Sequence, residues 1–284
     1  MSQVAYTPAS SMAQQSHGRP PRSGRGTSSP RVPIALEFRK LKGSSFWWMA
    51  GGMMLLLSAW SAAALLKRAG GAPAQRTMEL SQSETFQMVG LLAPIFAALL
   101  TSRLAVLETS ERMNLTWLSL GQSDLSRFWC KLLVSGTALG LCFLLPLCWI
   151  PLAAQAMGFG RSGSLASLLV LPACIAFLSC LAVSALQLVI SLLVDRQAVG
   201  LGVGVIAGLV GSGLGPMGLP WLGWLFPAGI SSAANPFQVQ ATADGYAQVS
   251  LRSHGWGLLG ASLLACLFWV LVSSMLIKVK EAQR

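Results

Sequence analysis

The sequence predicts an all-α integral membrane protein of six transmembrane helices. Three observations lead there. The 284-residue chain is 54% hydrophobic and only 10% charged, whereas a soluble domain carries roughly 25% charged residues. The apolar residues gather into runs close to the ~20 residues that span a bilayer. The basic residues flank these runs and form no stripe, so they read as a topology signal and not as a nucleic-acid surface.

Residues 1–32 contain Ser, Gly, Pro, Gln and Arg with little to bury, so they predict a disordered, basic cytoplasmic tail. No apolar segment of signal-peptide type lies within it. Residues 33–284 then form one membrane domain. It opens with an amphipathic helix over 33–45, where Pro33 suits a first turn and Ile34, Phe38 and Leu41 share one face. A basic amphipathic helix ahead of a span lies flat among lipid headgroups.

Six spans are expected at 46–66, 87–107, 128–150, 165–194, 197–215 and 254–277. Phe46, Trp47 and Trp48 open the first as an interfacial aromatic set. The fourth and fifth meet at Asp195-Arg196-Gln197, read as a tight polar turn; a buried turn here would merge them and reduce the count to five. In the fifth span, Gly200, Gly204 and Gly208 recur every fourth residue, and Gly211 and Gly215 repeat the interval. This spacing lets helix backbones meet closely in lipid, within the chain or between subunits. The Pro- and Gly-broken stretch after it holds Trp221, Trp224 and Phe226 and predicts short interfacial or partly re-entrant helices.

With the N-terminus inside, fifteen of the twenty Lys and Arg fall on the cytoplasmic side. Lys67, Arg68, Arg76, Arg161 and Arg252 fall outside. That bias predicts both ends in the cytoplasm, and an even number of spans.

Several functions are excluded by missing chemistry. No Gly-Lys dipeptide occurs, so there is no P-loop to bind ATP. No Asp, Glu or His lies at the middle of an expected span, which disfavours a proton relay. His254 reads as interfacial. No HExxH or GxSxG motif is present, and the six cysteines form no CxxC pair, so they read as small buried hydrophobes. No catalysis and no metal site is read in this chain.

The polar island 108–131 remains. It carries Glu108, Glu111, Arg112, Asp124, Arg127 and Lys131, but also Leu115, Trp117, Leu118 and Leu120. Ser123 or Asp124 can cap the following helix. Residues 110–119 predict a short helix at the cytoplasmic face, and apolar residues ringed by charge mark a docking surface.

Over residues 34–280 the chain resembles the permease subunits of type-2 ABC exporters, most of all those of lantibiotic self-protection. The resemblance rests on Glu37-Phe-Arg-Lys40-Leu41-Lys42, on Ala93-Pro-Ile95 with Thr101-Ser-Arg-Leu104 and Glu108, and on Trp117-Leu118. It rests also on Ser126-Arg127, Lys131-Leu132 and the stretch Leu219-Pro-Trp221 through Pro227. It implies an elbow helix carrying Glu37 and Lys40. It implies a coupling helix between the second and third spans, with Glu108, Glu111, Arg112, Trp117 and Leu118 at or near a separate ATPase. ATP and Mg would be bound by that ATPase, and a second permease, identical or sister, would complete the path in a bacterial cytoplasmic membrane. Three other readings stay open: a multidrug exporter permease, a membrane anchor or assembly factor without transport, and a secondary carrier.

Overall fold

The computed structural model describes residues 41, 44–110, 123–194, 196–241 and 247–283. Five of the described helices are long and apolar enough to cross a membrane. They are α1 (Ser45–Ala69), α2 (Met78–Ser110), α3 (Asp124–Ala156), α4 (Leu165–Leu193) and α7 (Gly255–Ala282). Between α4 and α7 lie α5 (Gln197–Gly213), the one-turn α6 (Ile230–Ala233) and a hairpin of β1 (Phe237–Ala241) and β2 (Ala247–Leu251). At 17 residues, α5 is shorter than the expected fifth span. It is about 25 Å long at ~1.5 Å per residue, against ~30 Å of hydrocarbon.

The helices run alternately between two ends of one bundle. At the first end, Arg103 Nε of α2 donates to Ser45 Oγ of α1 at 2.8 Å. Gln197 Nε2 of α5 donates there to Ser102 Oγ at 3.2 Å, and Lys280 Nζ of α7 to the Leu192 carbonyl at 2.6 Å. At the second end, the strand-like contact of Thr77 with Gly160 joins the α1–α2 and α3–α4 connections. The β-hairpin sits there too, with the Phe237 ring edge-on to Phe86 at 6.1 Å.

α2, α3 and α4 form the centre, built on Phe86, Leu100, Leu139, Phe143, Leu147, Ile150 and Leu168. α1 and α7 expose most of their surface, including Trp48, Leu55, Leu56, Trp60, Leu264, Leu267 and Phe268. Such faces are compatible with lipid and not with water.

Close backbone approach depends on glycine at a few points. A Cβ on Gly204 would sit 2.7 Å from the Pro94 carbonyl oxygen, and one on Gly208 would strike that of Leu91. Both oxygens belong to α2. Gly204 and Gly208 of the α5 stripe are therefore spent inside the chain against α2, and Gly211 against Ala228. A second pair, Gly136 and Gly140 of α3, receives Leu181 and Phe177 of α4.

Prolines inside helices create a second requirement. Pro151 cannot donate to the Leu147 carbonyl, nor Pro172 to that of Leu168. Fully buried Gln82 of α2 supplies the missing donor to both. Its Nε2 lies 2.8 Å from the Leu147 oxygen and a long 3.5 Å from that of Leu168. One side-chain amide thus ties α2 to α3 and α4.

Several expectations are revised. The second span begins at Met78 and not at 87, because Glu79, Gln82, Ser83 and Thr85 are buried against neighbouring elements instead of lying in a loop. Phe46 belongs to the core, while Trp48 is exposed. Of the three expected interfacial aromatics after α5, only Trp221 is well exposed; Trp224 packs beside Ile230. Cys148 and Cys174 are exposed, while the other four cysteines are buried as expected and all six are free. The hairpin departs from a purely helical reading. The amphipathic segment 33–45 lies outside the described residues apart from helical, buried Leu41 and residues 44–45, where Ser44 caps α1.

Gly208→Ala is expected to lower stability by about 1–3 kcal/mol, because the added methyl meets backbone. Gly202→Ala has open space and a better helix former, and should be neutral or slightly stabilising. Thermal unfolding in detergent distinguishes the two. Gln82→Met should lose about 1–2 kcal/mol by stranding two carbonyls. Pro151→Ala returns an N–H to Leu147, so a double-mutant cycle should show the Gln82→Met loss reduced in that background.

Candidate functional site

The residues assigned to the coupling contact belong to the connection between α2 and α3. Glu108 lies in the last turns of α2. Glu111, Arg112, Trp117 and Leu118 lie outside the described residues, as do Glu37 and Lys40 of the elbow segment. The described structure defines the frame from which both segments emerge.

That frame is polar and tightly tied. The Arg103–Ser45 bond fixes the start of α1 to α2 about one turn before Glu108. Ser44 Oγ accepts the Phe46 N–H at 3.3 Å and donates to the Leu41 carbonyl at 3.0 Å, so Ser44 ties Leu41 to the start of α1. Across the gap, Ser123 Oγ accepts the Ser126 N–H at 3.2 Å, the N-cap anticipated for α3. Asp124 and Arg127 pair at 3.3 Å within that first turn. Thr101 Oγ1 meets Ser191 Oγ at 3.2 Å, bringing α4 into the same cluster. The helix termini that border residues 42–43 and 111–122 are thus anchored at one end of the bundle. Sequence reading missed these ties, because Ser45, Ser102 and Gln197 meet their partners only through the helix pairing.

The second end holds two clefts. One, of about 800 Å³, lies between α1 and α2 and is lined by Trp60, Ala64, Lys67, Arg68, Glu84 and Met88 among others. The other, of about 540 Å³, lies between α2, the end of α5 and the hairpin, with Ser212, Ser231, Asn235 and Arg252 in its wall. Gln87 and Met88 of α2 border both.

In the first cleft, Arg68 and Glu84 form a two-point ion pair, with Nε 2.8 Å from Oε2 and Nη2 on Oε1. The sequence counted Arg68 only as a topology charge and left Glu84 outside the second span. Nearby, buried Glu79 accepts from the Ser162 N–H at 2.7 Å, the Ser162 hydroxyl at 2.9 Å and the Gly163 N–H at 3.3 Å. Its carboxylate holds the turn that leads into α4. Ser162 thus donates to Glu79 through both its backbone N–H and its hydroxyl. Among the described residues, no group of three or more His, Cys, Asp or Glu could hold a metal ion.

Glu79→Ala is expected to destabilise the chain by about 2–3 kcal/mol, because three donors lose a charged acceptor together. Glu79→Gln should lose less, since one oxygen still accepts. Thermal unfolding of the purified variants measures both.

No curated protein matches this chain. A family model described as ABC-2 family transporter protein matches residues 33–211, which runs from ahead of α1 through all but the end of α5. The match extends over well more than half of the 284 residues. A multi-pass bundle of membrane-length helices, with no ATP-binding motif of its own, suits that assignment, and the chain belongs to the ABC-2 family of transporter proteins.

Proposed function

We propose that the chain is the membrane-spanning permease subunit of an ATP-driven exporter in a bacterial cytoplasmic membrane. One observation carries this reading. A chain of the ABC-2 transporter family lacks a P-loop, yet inserts a charged and apolar segment, 111–122, between two anchored helices. Such a chain needs an ABC ATPase partner, and that segment suits the contact. ATP and Mg are then bound and used on the partner, and this chain performs no hydrolysis.

In this reading α5 makes a sixth crossing despite its length. The Pro227–Ala233 stretch supports it, with buried Ala228 against Gly211 and Ile230 beside Ala182 and Cys266. An even count leaves both chain ends and fifteen of the twenty basic residues on the cytoplasmic side. The elbow segment with Glu37 and Lys40 lies along the membrane surface. Glu108, Glu111, Arg112, Trp117 and Leu118 form or flank the coupling contact. A second permease, identical or sister, completes the path, and ATP-driven repacking of the two halves moves cargo outward. The cargo is hydrophobic or amphipathic, and an antimicrobial peptide of lantibiotic type is the specific reading supported by the sequence resemblance.

The decisive experiment is co-purification of the tagged chain with an ABC ATPase, followed by reconstitution in liposomes. A chain that never brings down an ATPase overturns the exporter reading. An ATPase that binds but ignores every candidate cargo favours a membrane anchor. Transport that collapses with an ionophore and persists without ATP favours a secondary carrier.

The paired change Trp117→Ala and Leu118→Ala is expected to reduce ATPase recovery by about tenfold or more, with membrane insertion unchanged, because both are large apolar groups at a contact. Quantitative pull-down beside a membrane-fraction blot measures this, and normal recovery would remove the coupling assignment.

A further inference from the structure

The cleft between α1 and α2 has a polarity gradient that the exporter reading does not use. Its rim is charged. Lys67 and Arg68 lie in the last turn of α1, and Glu84 faces them from α2. Further along α1 and α2 its wall turns largely apolar, with Trp60, Ala63, Ala64 and Met88 interrupted by Ser61 and Gln87. Trp60 lies seven residues before Lys67, about 10 Å deeper along the helix. At 25 residues, α1 is about 38 Å long, so its last turns reach beyond ~30 Å of hydrocarbon into the headgroup layer.

The charges are unevenly satisfied. Arg68 is held by Glu84 at two points, which fixes its guanidinium in the wall of the cleft. Lys67 is exposed and has no hydrogen-bond or ion-pair partner among the described residues. The rim thus carries two cations against one carboxylate. Gln75 and Thr85 also line the cleft with polar groups.

We propose that this cleft binds one anionic phospholipid from the surrounding leaflet, with the phosphate on Lys67 and the Arg68 edge and an acyl chain over Trp60, Ala64 and Met88. Charge complementarity selects the anionic headgroup, and the largely apolar wall selects a lipid over a free anion. The site goes beyond the exporter reading and does not depend on it, since it requires only a membrane around α1 and α2.

The test is titration of the purified full-length chain in detergent with short-chain phosphatidylglycerol, phosphatidylcholine or inorganic phosphate, read by native mass spectrometry and thermal shift. Phosphatidylglycerol is expected to bind at least about fivefold more tightly than phosphatidylcholine, the preference that one surface lysine confers. Lys67→Ala should abolish that preference without lowering the lipid-free melting temperature, because Lys67 holds nothing in the fold. Ala64→Trp should fill the apolar part of the cleft and remove lipid binding with both cations intact. Lys278→Ala, an exposed cation at the other end, should leave the preference unchanged.

Equal binding of the two lipids overturns the proposal. So does a preference that survives Lys67→Ala, or falls as far with Lys278→Ala. Lipid binding unchanged in Ala64→Trp overturns the acyl-chain contact. Inorganic phosphate stabilising the chain as well as phosphatidylglycerol reduces the site to a simple anion contact and overturns the lipid assignment.

Discussion

A carbonyl group in hydrocarbon has no water to bond, and this fold is organised around that constraint. Proline appears inside α2, α3 and α4, and each one withdraws a donor from its helix. At two of these places the loss is met by the same side chain, because the Gln82 amide reaches the oxygens freed by Pro151 and Pro172. The bond has two consequences. It makes two prolines tolerable in membrane-length helices, as neighbouring groups must when helix bonds are missing. It also sets the depth of α2 relative to α3 and α4, because the amide reaches both oxygens at only one axial position.

The rest of the packing follows from α2 being held in place. α5 lies along it through Gly204 and Gly208, where any larger residue would strike the α2 backbone. Apolar burial offers little drive for helix association in lipid, so shape and close contact decide it. A helix as short as α5 gains from that proximity. Its shortness in turn leaves room that the Pro227–Ala233 segment fills, with buried Ala228 against Gly211 and Ile230 against α4 and α7. Lys280 then caps the α4 terminus by donating to the Leu192 carbonyl, so the last helix closes what the second began.

Much of this fold was legible in the amino-acid order. Helix positions were readable because an apolar run of ~20 residues has few other uses. The Ser123 cap and the glycine stripe were readable because each has a local chemical signature. The early start of α2 was not, since Glu79, Gln82 and Thr85 look like loop residues until their partners on other elements are known. Gln82 is the extreme case, because its two acceptors lie 65 and 86 residues away. The hairpin did leave a trace, with alternating Gln and Val on either side of Asp244-Gly245, a pairing suited to a turn. That trace was masked by the apolar segments around it. Of the candidate site, the sequence identified chemical character in 108–131 but not the Arg103–Ser45 and Gln197–Ser102 bonds that anchor its roots.

The two connections stitched together at Thr77 and Gly160, with Glu79 gripping the next turn, have a mechanical meaning. A fastened end acts as a fulcrum. α2 is 33 residues long, so its far tip lies about 50 Å from that point. By simple leverage a tilt of about 5° there displaces the tip by about 4 Å, close to the rise of three helical residues. The same geometry works in reverse: a small push at the tip reaches the hinge as torque, with little translation.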